Sequence, residues 1–148
     1  MERFRVAVDF DGTLVPVHYV YLGEEPKPYP TRVQALRELS NHFNIYIFTS
    51  RDDLEEAERV LAEHGIKKGV HYLEITRTKG PFWYLIDDAA GNETMLDDPA
   101  TAPYRIGQHI HRVLKKLWPY LRDGQKSRYR LRCENSNGAV AAPQEDEI

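Results

Sequence analysis

The chain has 148 residues, of which 41% are hydrophobic and 29% charged, and its formal net charge is −3. This length suits one domain with one hydrophobic core, and a charge so close to neutral excludes a chain that is strongly basic throughout. The single cysteine, Cys133, excludes an intrachain disulfide. No apolar signal region or run of membrane-spanning length occurs, so we expect a cytoplasmic protein that does not contact a membrane.

Hydrophobic periodicity predicts alternating strands and helices along most of the chain. Helices are predicted where apolar residues recur every three to four positions, and residues 15–28, with several prolines, are predicted to form a loop or hairpin. The predicted strands are 4–10, 44–49, 70–75 and 82–86, and the predicted helices are 31–43, 52–64 and 106–121.

Strands that alternate with helices predict an α/β fold with a central, mostly parallel sheet. In such sheets, ligands bind beyond the carboxyl ends of the strands. Three of the four predicted strands end there in polar residues, at Asp9 and Asp11, at 49–51, and at Asp87-Asp88. Separate segments should therefore bring their polar side chains to one edge of the sheet.

The first polar group is the sequence 9–13, Asp-Phe-Asp-Gly-Thr. Asp9 and Asp11 alternate along an extended chain and so point the same way, and Gly12 permits a turn directly after them. Two neighbouring carboxylates repel each other, and a divalent cation relieves that repulsion. Magnesium prefers hard oxygen ligands and retains room for substrate phosphate, so it is the expected ion.

The next two groups are compatible with phosphate binding. The Thr49 and Ser50 hydroxyls lie between a strand and a helix, where they can donate to a phosphate oxygen, although Ser50 or Asp52 can equally begin the helix. Lys79 can neutralise a phosphoryl oxygen as a point charge. A solvated loop lysine is the alternative for Lys79.

The fourth group is the apolar strand that ends in Asp87-Asp88, which predicts a metal site with either carboxylate as the direct ligand. The same dipeptide occurs at Asp97-Asp98, but there it follows no apolar strand and precedes Pro99. We interpret that second copy as part of a turn.

In their order and setting, these four groups resemble the motifs of the haloacid dehalogenase superfamily of phosphotransferases. The resemblance covers about residues 4–90 and implies a Rossmann-like, three-layer fold. Neither interval between the motifs is long enough for a cap domain, so the chain is most similar to the small capless phosphatases. It departs from them by Gly80, inserted before Pro81, and by Ala89 in place of an arginine.

The resemblance implies a phosphatase that hydrolyses a phosphate monoester through an aspartyl-phosphate. Asp9 would be the nucleophile, and Asp11 would protonate the leaving group and then activate water. Thr49, Ser50 and Lys79 would hold the phosphate. Magnesium would be bound by Asp9, by the main-chain carbonyl of Asp11, and by Asp87 with Asp88 close by.

The remaining features leave the substrate open between a phosphorylated small molecule and a nucleotide. His18, Tyr19 and Tyr21 lie in the loop after the first motif. They would cover the site, stack on a base or sugar, or, as we favour, pack the loop against the domain. Specificity of this kind resides in loops, which the motifs do not determine.

The C-terminal part of the chain is basic and then acidic. We expect a hydrolase domain over residues 1–124 and a flexible tail over residues 125–148. Between residues 112 and 132 the chain has one acidic residue, Asp123, and eight basic residues. The basic residues are Arg112, Lys115, Lys116, Arg122, Lys126, Arg128, Arg130 and Arg132. We favour the interpretation of this segment as a solvated helix face with a flexible arm over its interpretation as a nucleic-acid contact.

Two other functions remain open. A polynucleotide end phosphatase would use the basic segment to hold its substrate. A non-catalytic binding module would keep the fold without the reaction, but such a module does not need an intact nucleophile and acid.

Overall fold

Four parallel strands form the centre of the protein, in a computed structural model that describes residues 1–78 and 80–144. Within those residues the strands are β1 (Arg5–Asp9), β2 (Asn44–Phe48), β3 (Glu74–Thr76) and β4 (Tyr84–Ile86). Their order across the sheet is β3-β2-β1-β4. The mixed α/β class and the parallel sheet expected from the sequence are confirmed.

The register of the sheet places the carboxyl ends of β1 and of its two neighbours, β2 and β4, at one level. Val8 of β1 pairs with Ile47 of β2 on one side and with Ile86 of β4 on the other. The next residues, Asp9 at the end of β1 and Asp87 directly after β4, therefore lie side by side at the carboxyl edge of the sheet.

Helices cover the sheet and bury its apolar residues. The α-helices in the described residues are α1 (His18–Leu22), α2 (Pro30–Ser40), α3 (Leu54–Glu63), α4 (Ala102–Leu117) and α5 (Asp123–Glu134), with two 3₁₀ helices at Glu93–Asp97 and Trp118–Tyr120. Val6 and Val8 of β1 are completely buried, as are Leu36 of α2 and Ile110 of α4. Apolar burial of this extent is the main stabilising contribution to the fold.

The expected flexible tail is wrong for residues 125–144. Residues from Asp123 form α5 instead, and the Tyr129 ring stacks on Phe4 and meets Trp83 edge to face. Cys133 of this helix is buried, and beyond the helix the Ser136 carbonyl lies 2.7 Å from His42 Nδ1. The segment is ordered because it completes the core, and the acidic residues 145–148 lie outside the described part of the chain.

Two further expectations differ from the structure. The third strand begins at Glu74 instead of at Val70, because Gly69 has a φ of +84° and residues 67–72 form a turn that leaves Val70 66% exposed. The predicted loop contains the short helix α1, which buries none of its residues and leaves Tyr21 82% exposed. Packing against the domain therefore does not account for Tyr21.

No helix in the described residues has both the length and the apolar character needed to cross a membrane. The longest of them, α4, has buried residues such as Ile106 and Leu114 on one side and Lys115 and Lys116 in its last turn. It is an amphipathic helix that packs on the core.

The contact between α4 and the C-terminal segment depends on Gly107. A Cβ atom at this position would lie 1.7 Å from the Ala139 carbonyl oxygen. We therefore expect Gly107→Ala to displace residues 136–142 and to lower the free energy of unfolding by about 1–3 kcal/mol in urea titrations.

Gly124→Ala is the matched control, because Gly124 lies in α5 and nothing approaches its Cβ position within 4 Å. This second substitution should leave stability unchanged or raise it slightly, since alanine favours helix. Equal stability of the two variants would show that the C-terminal segment does not pack closely on α4.

Candidate active site

Three carboxylates meet at the carboxyl edge of β1 and β4. One oxygen from each of Asp9, Asp87 and Asp88 lies within 4.8 Å of the others. Asp9 ends β1, and Asp87 and Asp88 directly follow β4, so the parallel pairing of the two strands brings the carboxylates together. The convergence predicted for these three residues is confirmed.

The turn after β1 brings the backbone against Asp88. The Phe10 carbonyl accepts hydrogen bonds from the Leu14 and Val15 amides, each at 3.0 Å, which closes the turn. Gly12 has a φ of +88°, and a Cβ atom there would lie 2.3 Å from Asp88 Oδ2. Glycine is required both for this conformation and for the approach of the carboxylate.

Two polar side chains, Thr13 and Asn92, fix the main chain of the two aspartates after β4. The Asp88 amide donates to the hydroxyl of Thr13, which is fully buried, at 3.1 Å. The Asp87 amide donates to Asn92 Oδ1 at 2.9 Å, and Asn92 Nδ2 donates back to the Leu85 carbonyl at 2.8 Å. The sequence did not indicate Asn92, because its role depends on a turn that no motif marks.

The surroundings of Asp9 disfavour its charge. Burial, followed by the charges of Asp87, Asp88 and Asp11, raises the pKa of Asp9 to about 8. The pKa of Asp88 is also raised, first by its hydrogen bond with Asp87 and then by burial. Without a counter-ion, Asp9 therefore favours its protonated form at neutral pH.

Asp11 lies beside this cluster but has a different partner. Arg51 Nε lies 2.9 and 3.0 Å from the two Asp11 carboxylate oxygens, and Arg51 Nη2 lies 2.9 Å from Oδ1. The same guanidinium contacts Glu56 at 2.5 Å through Nη1 and lies over the Phe10 ring, 5.5 Å from its centroid. Arg51 is thus held between two acids at the edge of the site.

The sequence placed Arg51 at the end of the second strand but gave it no role. A single arginine after a strand has no distinctive spacing, and its two acidic partners lie 40 and 5 residues away. The folded chain was needed to bring them together.

Of the three residues predicted to bind phosphate, Thr49 and Ser50 have different surroundings. Thr49 is fully buried; its hydroxyl accepts from the Arg51 amide at 3.1 Å and lies 3.4 Å from Asp11 Oδ2. Ser50 is exposed. Asp53 begins α3 by accepting from the Glu56 amide, so neither Ser50 nor Asp52 is its N-cap. Lys79 lies outside the described residues.

The second Asp-Asp pair has a separate structural role. Asp97 ends the 3₁₀ helix Glu93–Asp97 and pairs with Arg32 at 3.0 Å. Arg32 also donates to the Thr13 carbonyl at 2.9 Å. The pair Asp97-Asp98 thus lies apart from the three clustered carboxylates. The Thr101 and Ala102 amides donate to the Asp98 carbonyl, in agreement with the interpretation of the pair as part of a turn.

The fold and the site define an α/β protein with an acidic cluster at the carboxyl edge of a parallel sheet. No protein-family model matches the chain, and neither a curated protein nor a solved structure matches it.

Proposed function

We propose that this protein is a magnesium-dependent phosphatase that hydrolyses a phosphate monoester, with Asp9 as the nucleophile. The convergence of Asp9, Asp87 and Asp88 within 4.8 Å at the edge of the sheet is the observation that carries the proposal. Membership of the haloacid dehalogenase superfamily, a Rossmann-like three-layer arrangement and a cytoplasmic location belong to the same proposal.

The three carboxylates fit a magnesium ion. They offer hard oxygen ligands. The pKa of Asp9 is raised first by burial and then by the charges of the neighbouring carboxylates, and a divalent cation would relieve that repulsion. Asp9, Asp87 and Asp88 would hold the ion, and the Asp11 carbonyl is the further ligand implied by the resemblance. When bound, magnesium would neutralise charge on the phosphoryl oxygens.

In the proposed reaction, an Asp9 oxygen attacks phosphorus while the bond from phosphorus to the leaving oxygen breaks. Asp11 donates a proton to that oxygen and the alcohol departs. Asp11 then takes a proton from water, which attacks phosphorus and releases inorganic phosphate, so that Asp9 is restored. Positioning and charge neutralisation provide most of the rate enhancement in such transfers.

Arg51 has a place in this scheme because its guanidinium forms an ion pair with Asp11. A phosphate dianion is a competing partner for a guanidinium, and it accepts two parallel hydrogen bonds as a carboxylate does. We propose that the incoming phosphate draws Arg51 away and frees Asp11 to serve as the acid. Thr49, Ser50 and Lys79 are the other proposed phosphate ligands.

The proposal is tested with a panel of phosphate monoesters, including sugar phosphates, nucleotides and an aryl phosphate, assayed with magnesium. Release of inorganic phosphate that stops in EDTA and returns with magnesium would support it. A protein that hydrolyses no member of a broad panel would instead favour a non-catalytic binding module.

Asp11→Asn tests the role of the acid and base. We expect turnover of an alkyl phosphate to fall by about 10²–10⁴-fold, because the asparagine amide cannot donate or accept the required proton. The rate of the first step with an activated aryl phosphate should fall less, since its leaving group departs without a proton. Stabilisation by magnesium, measured as a shift in Tm, should persist.

Glu56→Gln is the control, because it changes the other partner of Arg51 and leaves Asp11 in place. An Asp11→Asn variant that lost its magnesium response but kept its alkyl phosphatase rate would contradict the assignment.

A further inference from the structure

A second polar surface lies at the opposite edge of the sheet from Asp9. A groove of about 790 Å³ opens where β1 and β2 begin, and is lined there by Arg5 and Asn44. Arg5 and Asp9 are the first and last residues of β1, so the groove and the acidic cluster lie about 13 Å apart along the strand. The groove is therefore distinct from the proposed active site.

The groove is strongly basic. Its lining includes four arginines and one acid: Arg3, Arg5, Arg128, Arg132 and Glu2. Glu2 contacts Arg132 at 2.9 Å and Arg128 at 3.4 Å, and these contacts lower the pKa of Glu2. One ionised acid leaves three positive charges in excess, on a chain whose formal net charge is −3. A local excess of this kind attracts anions.

Among the described residues, Arg3 and Arg5 form no ion pair with an acid. Arg3 donates to the carbonyls of Ser40 and Asn135, which are neutral acceptors. The Arg5 guanidinium lies over the Tyr46 ring, 5.9 Å from its centroid.

Folding divides the basic residues of α5 between two surfaces. Lys126 and Arg130 lie over the Trp118 ring, whereas Arg128 and Arg132 line the groove. The basic segment is thus more than a uniformly solvated face. Two of its eight basic residues join arginines from the beginning of the chain, a grouping that the linear sequence does not reveal.

Aromatic side chains lie among these charges. Phe82, Trp83 and Tyr129 line the groove, and each is partly exposed. The Phe82 ring packs against the Tyr46 ring with the centroids 5.4 Å apart. Trp83 contacts Tyr129 edge to face at the same centroid distance. These contacts hold the rings in place at the surface without burying them completely.

We propose that this groove binds single-stranded nucleic acid. The arginines would contact successive phosphodiesters, and Phe82 and Trp83 would stack against unpaired bases, the combination by which proteins hold single strands without reading sequence. A duplex keeps its bases stacked inside and cannot use the rings. An acidic peptide matches the charge but offers no planar groups to them.

The test is direct binding of an oligothymidylate of about 12 nucleotides, labelled with fluorescein and followed by anisotropy. The probe carries no terminal phosphomonoester, so the result does not depend on the proposed phosphatase activity. With about three phosphate contacts, the slope of log affinity against log salt should be about −2.

Arg5→Gln combined with Arg128→Gln should weaken binding at least tenfold and flatten the salt slope by about 1.4. Both residues are exposed, with the Arg128 side chain at 70%, so the fold should survive the change. The matched control is Lys27→Gln with Lys116→Gln, which removes two charges from exposed positions outside the lining. Phe82→Leu should weaken binding of the oligothymidylate about tenfold and leave the slope of log affinity against log salt unchanged.

Several outcomes would overturn the proposal. They are the absence of salt-dependent binding to the oligothymidylate, an equal loss in the lysine control, and equally tight binding of a hairpin duplex or of polyglutamate. Thymidine monophosphate that competes as well as the oligonucleotide on a molar basis would also overturn it, because the groove would then bind one nucleotide and not a strand. Thermal melting of each variant verifies that the fold is retained.

Discussion

Replacing Asp9 with asparagine is expected to abolish phosphate release, by about 10³-fold or more, while the protein stays folded. The amide preserves the shape of the side chain but is a very poor nucleophile, so no covalent intermediate should form. The measurement is kcat on whichever ester the protein turns over fastest.

The same substitution should make the metal-free protein more stable. Because the pKa of Asp9 is raised from 3.8 to about 8, the folded state holds a proton there that the unfolded state releases. Stability of the wild type should therefore fall as pH rises from about 4 to about 8. In EDTA at pH 7, the free energy of unfolding of Asp9→Asn should exceed that of the wild type by about 1–2 kcal/mol. This is less than the full pKa shift implies, because the site is partly exposed and solvent screens it.

Asp98→Asn is the control for both effects, since it makes the same chemical change outside the cluster of Asp9, Asp87 and Asp88. It should alter neither kcat nor the dependence of stability on pH. Substantial hydrolysis by Asp9→Asn would contradict the covalent mechanism, whatever its stability.

Magnesium should raise the Tm of the wild type, and the effect should grow between pH 6 and pH 8. Ionised carboxylates bind the ion, and the raised pKa of Asp9 means that binding must displace a proton at neutral pH. At a magnesium concentration of about 100 times Kd, the gain in stability should be about 2.7 kcal/mol.

Asp87→Asn should remove most of this response, and Asp98→Asn should leave it intact. Calcium should support turnover poorly, because its larger and looser coordination shell places the nucleophile less accurately. A Tm that magnesium does not change, together with activity that survives EDTA, would contradict a magnesium site among these aspartates.

The sequence predicted the part of the molecule that local patterns encode. Continuous apolar runs predicted β1 and β2, and the polar residues after β1 and β4 predicted the meeting of Asp9 with Asp87. Both inferences work because strand burial and the geometry of a parallel sheet follow from short stretches of chain.

The rest depends on contacts between distant residues. The sequence of helix α5 is so polar that it is typical of a flexible tail, yet Tyr129 and Cys133 pack the helix against the core. The ion pair of Arg51 with Asp11 spans 40 residues, and the basic groove joins residues 3–5 to residues 128–132. No periodicity or motif in one segment reports a partner so far away.

The most direct test of the proposed mechanism is to trap a phosphoryl group on Asp9. The protein is mixed with a radiolabelled phosphate ester and magnesium, quenched in acid within the first turnover, digested, and analysed by mass spectrometry. We expect a phosphoryl adduct on the peptide that contains Asp9, sensitive to hydroxylamine as an acyl phosphate is, and absent from Asp9→Asn. Turnover without any adduct, or an adduct on another residue, would contradict the assignment of Asp9 as the nucleophile.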